Sequence, residues 1–202
     1  MGKKELSGRN NWEKSAGIKA AYAEQNLYNV FEQAFQGSKY KLHRKPKNLK
    51  NLYAGVVIPD EIKNVIYNPI VNLEKTKWGV LPDFAIENTE TNKILFGEIK
   101  RQDGWVEGKK QSAGRGNVHE RSCKLFTPGL IKAYRNFSKI DNDEILPFWV
   151  VFQGDITRDP KRVREIMFWY DTYQDNYFMW RPGDSGQLLL EHFNNKLKKY
   201  LD

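Results

Sequence analysis

Between Leu146 and Phe152 the chain reads Leu-Pro-Phe-Trp-Val-Val-Phe, an apolar run without a single charge. A strand with one face in water alternates apolar and polar side chains. One this uniformly apolar must be covered on both faces, so it sets the middle of a sheet. The flanking sequence offers material for the layers. Asp159-Pro160 opens a helix, with Pro at its first turn. Tyr177–Trp180 is a short strand candidate, and Ser185–Leu201 reads as a closing helix. Upstream, Ala20, Ala23, Leu27, Val30, Phe31 and Ala34 recur at helical spacing within a segment from about Asn11 to Phe35, and Gly37 follows as a C-terminal glycine. A further helix begins near Asn117, and Pro128 breaks it before another that runs to about Phe137. Interleaved helices and strands predict an α/β fold, a mixed sheet flanked by helices. A chain of 202 residues suits one domain, 1–202.

Charge narrows the partners. Lys and Arg number 33 against 25 Asp and Glu, a net +8. That surplus suits a polyanion such as nucleic acid, or equally a basic surface with no such partner. The stretch from Lys39 to Lys50 is the densest in bases; it shows no periodicity and Pro46 interrupts it, so it reads as a loop, touching phosphates or simply solvated. Cys123 is the lone cysteine, which rules out an intrachain disulfide. With one thiol, and with His43, His119 and His192 far apart, a structural zinc site has no ligand set in the sequence. The charged start Met1-Gly2-Lys3-Lys4-Glu5 is not a signal peptide, and no apolar stretch is long enough to span a membrane, so the expected compartment is the cytoplasm.

The informative chemistry lies in a hairpin over 81–100. Asp83–Glu87 and Ile94–Ile99 are strand-like, joined by the turn-forming Asn88-Thr89-Glu90-Thr91-Asn92. Side chains alternate along a strand, so Glu98 and Lys100 share one face and Ile99 takes the other. If Asp83 stands at the facing end of its own strand, two carboxylates converge beside an ammonium. Two acidic oxygens suit a hard divalent ion such as Mg²⁺, which takes one or two carboxylates along with waters and phosphates. A surface hairpin with a Glu–Lys pair is the plainer alternative. After the hairpin, Arg101–Gly116 is polar and glycine-rich, a long loop of the kind that often carries function.

Pro82-Asp83, followed fifteen residues after the Asp by Glu98-Ile99-Lys100, resembles the PD-(D/E)xK nuclease superfamily. Farther on, Gly116-Asn117-Val118-His119-Glu120-Arg121-Ser122 resembles the base-reading segment of the EcoRI-like restriction endonucleases within it, and stands in the same place, downstream of the Glu-x-Lys strand. The resemblance covers Pro82 to Ser122. It implies a restriction endonuclease-like fold, with Asp83, Glu98 and Lys100 catalytic and Asp83, Glu98 and the Ile99 carbonyl holding Mg²⁺. EcoRI has Ala where Ile99 stands, a side chain facing away from the metal. The resemblance further implies a prokaryotic type II enzyme, a homodimer on double-stranded DNA. It would cut both strands of a palindromic hexanucleotide with an AATT core, CAATTG, and leave 5′-phosphates. A cognate DNA methyltransferase would work alongside it without forming a complex.

The residue chemistry agrees. Asn can bond adenine bidentately in the major groove, and Arg can do so to guanine. Arg115, Asn117, Glu120 and Arg121 are the candidate base readers, within a recognition segment of about 109–124. Glu120 reaches an adenine amino group or holds Arg121 in place. Amides at a helix start favour phosphate, so Gly116, with Lys109 and Lys110, is a candidate backbone contact. The plainer reading is a helix cap at Asn117 with a surface Glu–Arg pair. A nuclease without sequence preference and a non-enzymatic DNA-binding protein are the rival functions. Gly104 to Lys110 only faintly resembles a phosphate-binding loop, the glycine spacing being too short. Trp149, Trp169 and Trp180 sit in apolar contexts that suit core packing.

Overall fold

The computed structural model describes residues 3–66, 78–104 and 119–202. Five strands form one sheet in sequence order: β1 (Tyr40–Arg44), β2 (Phe84–Asn88), β3 (Lys93–Arg101), β4 (Phe148–Gln153) and β5 (Tyr177–Trp180). The first three pair antiparallel, and β3–β4 and β4–β5 pair parallel. The sheet is therefore mixed. Parallel neighbours need long crossovers. Helix α3 (Pro128–Ser138) lies in the connection from β3 to β4, and α4 (Pro160–Tyr170) in that from β4 to β5. Asp159 caps α4 by accepting from the Lys161 and Arg162 amides. Two more α-helices complete the chain's main elements, the long α1 (Lys3–Ala34) and, near the C-terminus, α5 (Gly186–His192); α2 (Asp60–Lys63) is a single turn.

The apolar run is the buried strand it promised to be. Every residue of β4 is buried, and its two faces feed two cores. Phe148, Val150 and Phe152 join Ala85, Phe96 and residues of α3 and α4, among them Tyr134, Ile166 and Tyr170. Trp149 and Val151 join Phe84, Ile86 and Leu95 on the other face, under Leu27 and Phe31 of α1 and Leu189 of α5. Trp149 is fully buried, whereas Trp169 and Trp180 are half-buried at the edges of these clusters.

Four expectations change. The stretch from Lys39 to Lys50 is not all loop, because Tyr40–Arg44 pairs with β2 along its whole length. It is an edge strand, and the charges that masked it are the usual decoration of such an edge. Helix α1 starts earlier than Asn11. The helix expected near Asn117 is a 3₁₀-helix, Glu120–Phe126, among the described residues. The closing helix is not uniform: α5 passes into a π-turn at Phe193–Leu197 and a 3₁₀-turn at Lys198–Tyr200. Gly37 takes φ 68°, the left-handed value expected of a C-terminal glycine.

In the hairpin of β2 and β3 the register sets Phe84 opposite Gly97. The Phe84 ring lies so close that a Cβ at Gly97 would fall 2.1 Å from it. The bare glycine lets that ring stack onto β3 immediately before Glu98, which fixes the strand where the site begins.

Candidate active site

Asp83 sits just before β2. The β2–β3 register, extended one step past Phe84 and Gly97, brings Asp83 opposite Glu98. Directly opposed residues of an antiparallel pair share a face. The Asp83 main chain is held from two other elements: its carbonyl accepts from the Tyr28 hydroxyl of α1 at 2.8 Å and from the Lys45 amide after β1 at 3.0 Å. Its side chain is held too, Oδ2 accepting the Ile99 amide at 2.7 Å. Glu98 is buried, and Lys100, two residues on and on the same face, places Nζ 2.5 Å from Glu98 Oε2. The side chains of Lys100 and Glu98 are only 17% and 7% exposed, so this pair is poorly screened. The structure thus brings Asp83, Glu98 and Lys100 together at the ends of adjacent strands.

The electrostatics suit a cation. Asp83 is pushed up to about 6, first by burial and then by the Glu98 carboxylate, with the Ile99 amide and Lys100 pulling the other way. Two carboxylates crowded in a half-dry cleft repel one another, and a divalent ion is the counter-charge that relieves this. Among the described residues no cluster of three or more His, Cys, Asp or Glu side chains forms. Two carboxylates fit Mg²⁺, which keeps several waters, better than ions that demand a full protein cage.

A pH dependence follows. The folded pKa of Asp83 lies above its unfolded value, so between about pH 4 and pH 6 the native state binds more protons. In that window stability falls as pH rises, and the full repulsion is present above about pH 6. A metal held by Asp83 would compete with the proton. Its apparent affinity should drop about tenfold from neutral pH to pH 5. Thermal melts with and without Mg²⁺ should therefore show a larger metal-induced rise in Tm at pH 8 than at pH 5. Equal increments at the two pH values would contradict a metal bound through Asp83.

A family model described as "Type II restriction enzyme MunI" matches residues 1–202. The chain belongs to the MunI family of type II restriction enzymes. A curated relative, "Type II restriction enzyme MunI" of Mycoplasma sp, is 73% identical over 202 residues, covering all of both chains. The fold agrees. A crystal structure of MunI restriction endonuclease in complex with cognate DNA is 72% identical and superimposes with a TM-score of 0.82, covering 95% of this chain and 98% of that one. The MunI-family chain is accordingly a site-specific endonuclease with an EcoRI-like PD-(D/E)xK fold.

Of the expected recognition segment, 109–124, this MunI-family structure describes residues 119–124. Lys109, Lys110, Arg115, Gly116 and Asn117 lie outside the described residues. Glu120 and Arg121 are exposed on the first turn of the 3₁₀-helix. Two buried neighbours anchor that turn. His119 Nε2 lies 2.9 Å from Glu165 Oε2 of α4 and its ring stacks on Trp169 at 5.2 Å, while Ser122 Oγ donates to the His119 carbonyl at 2.6 Å. Burial and the nearby Arg162 guanidinium lower the His119 pKa. His119 therefore fastens the segment to α4.

Sequence reasoning missed the frame around Asp83. Tyr28 comes from fifty-five residues upstream, and nothing local marks its hydroxyl as a bond to Asp83. Glu24, one turn earlier on α1, adds a third negative charge to the neighbourhood of Asp83 and is itself paired with Lys45 at 3.2 Å. The helical spacing of Leu27 and Phe31 fixes the buried side of α1, but the contact itself depends on how that helix crosses the sheet.

Proposed function

We propose that this enzyme makes Mg²⁺-dependent double-strand cuts in DNA at the palindrome CAATTG, leaving 5′-phosphates, and that it acts as a homodimer in the prokaryotic cytoplasm. The observation that carries the chemistry is the convergence of Asp83, Glu98 and Lys100. Asp83 and Glu98, with the Ile99 carbonyl, are the ligands available to the metal. When bound, the ion lowers the pKa of a water and neutralises charge on the phosphate. Lys100 is held by Glu98 with its ammonium beside the carboxylates, where it can orient the attacking water and stabilise charge on the phosphate oxygens. The site is largely buried, so that charge counts for more than it would in solution.

A DNA substrate is supported by the similar crystal structure, which is of a complex with cognate DNA. The net charge of +8 suits it as well. The base readers proposed are Arg115, Asn117, Glu120 and Arg121, with Lys109, Lys110 and Gly116 on the backbone. Functional pairing with a DNA methyltransferase of the same specificity would protect the host. Among the described residues no helix is long and apolar enough to cross a membrane.

Incubation with plasmid DNA and Mg²⁺, followed by sequencing of fragment ends, tests the reading. Discrete fragments beginning with a 5′-phosphate at one hexanucleotide are expected. A smear would point to a nuclease without sequence preference, and uncut but bound DNA to a binding protein. A palindrome presents two equivalent half-sites, which two-fold protein symmetry matches. Light scattering on the complex should therefore report two chains per duplex; one chain, nicking one strand, would refute the dimer.

A further inference from the structure

Two tyrosine hydroxyls are buried beneath the site. Tyr134 on α3 and Tyr170 at the end of α4 are wholly inaccessible, and among the described residues neither phenol oxygen meets a hydrogen-bond partner. Burying a hydroxyl without a partner forfeits its hydration, and phenylalanine would fill either place without that cost. Such an oxygen requires a physical account.

Both rings lie on the sheet face that carries Glu98. The Tyr134 ring meets Phe96 edge-on at 5.3 Å and Phe148 at 5.8 Å. Phe96 and Phe148 are paired across β3 and β4, and the next pair on that face is Glu98 with Val150. Tyr170 approaches from the other side. Its ring lies 4.8 Å from that of Tyr177, and Tyr177 is the β5 partner of Val150. Tyr134 thus stands over the rung next to Glu98, and Tyr170 over the rung of Glu98 itself, beyond Val150. Glu98 can receive them. Its bond to Lys100 uses Oε2, and a carboxylate offers about four acceptor positions.

We propose that Tyr134 and Tyr170 are positioning residues of the active site, their hydroxyls holding the Glu98 carboxylate through an intervening buried water so that its metal-binding oxygen stays turned toward Asp83. Neither hydroxyl makes a direct bond, and two hydroxyls with a carboxylate would give a water its polar partners. Lys100 fixes one side of the carboxylate and the tyrosines fix the other. A ligand restrained in this way gives up less freedom when a cation binds. The consequence for metal affinity rests on the metal site proposed above; the contact with Glu98 does not.

The test uses Tyr134→Phe and Tyr170→Phe, singly and together, in the full chain. Thermal melts of metal-free protein are arranged as a double-mutant cycle with Glu98→Gln. Each hydroxyl should be coupled to Glu98, so the Tm changes should depart from additivity by about 2–4 °C. Strict additivity for both tyrosines would overturn the proposal. Should one variant fail to fold, the other carries the cycle. Mn²⁺ binding, followed by electron paramagnetic resonance, is the second readout. The double variant should bind Mn²⁺ about tenfold more weakly than wild type. Unchanged affinity, with wild-type binding intact and lost on Glu98→Gln, would also overturn it, since a merely structural role lowers Tm and leaves Mn²⁺ binding alone. A wild-type protein that binds no Mn²⁺ would sink the metal site instead, and the cycle would still decide the contact.

Discussion

Replacing Asp83 by Asn or Glu98 by Gln is expected to lower the cleavage rate by at least roughly 10²–10³-fold, about 3–4 kcal/mol of transition-state stabilisation. Each change removes one of the two charges that would hold the proposed cation, and neither alters the shape of the side chain. Their effects on stability should part. Asp83→Asn can still accept the Ile99 amide and no longer repels Glu98, so its Tm in metal-free buffer at pH 8 should equal or exceed that of wild type. Glu98→Gln leaves the Lys100 ammonium, itself mostly buried, without its counter-charge, and its Tm should fall. Lys100→Met should also stop cleavage while keeping both carboxylates for the metal. Initial rates on a cognate duplex across Mg²⁺ concentrations, beside melts of each variant, check all of this. Near wild-type cleavage by either carboxylate variant would show that the reaction is run from elsewhere.

The parts legible in the sequence were those encoded locally. The hairpin is one: Asn92 adopts φ 57°, the left-handed value asparagine tolerates, and the Asn88 carboxamide accepts the Glu90 amide at 3.0 Å. Alternation on β3 then fixes that Glu98 and Lys100 face together and Ile99 away, while the place of Asp83 beside them follows from the hairpin register. Strand β1 was hidden because its alternation of Tyr40, Leu42 and Arg44 lies among Lys41, His43, Lys45 and Lys47; it exists because β2 offers it an edge. Its partner spacing does carry a signal in retrospect, His43 reaching Glu87 at 2.6 Å across the pair. The Tyr28–Asp83 bond, and the packing of Tyr134 and Tyr170 on the face that carries Glu98, depend on helices packing on opposite faces of a finished sheet. No local pattern encodes such contacts. The same limit applied to the 3₁₀-helix that carries Glu120 and Arg121, whose tight turn is held by the buried His119 and Ser122 and not by helix propensity.

Arg115→Ala should relax the outer base pair of the target and leave the AATT requirement largely in place. Asn117, Glu120 and Arg121 fall in the block that resembles the EcoRI-like enzymes, which share that core, whereas Arg115 stands just before it. Among side chains, arginine is the one whose planar fork matches guanine O6 and N7 together, and so the outer G·C pair of the proposed target CAATTG. Loss of one bidentate contact should cost about 1–3 kcal/mol of discrimination at that pair, roughly ten- to a hundredfold. A residue that touches only phosphate behaves differently: its removal weakens binding to every sequence alike and flattens the salt dependence by about one unit of slope. The proposed homodimer would present Arg115 twice, once to each half-site, so both outer pairs should relax together. The measurement is cleavage of duplexes varied one base pair at a time, Arg115→Ala against wild type, at two salt concentrations. Substituted outer pairs cut nearly as well as the cognate one, with AATT changes still rejected, would establish Arg115 as a base reader; a uniform loss across all duplexes with a shallower salt slope would make it a backbone clamp.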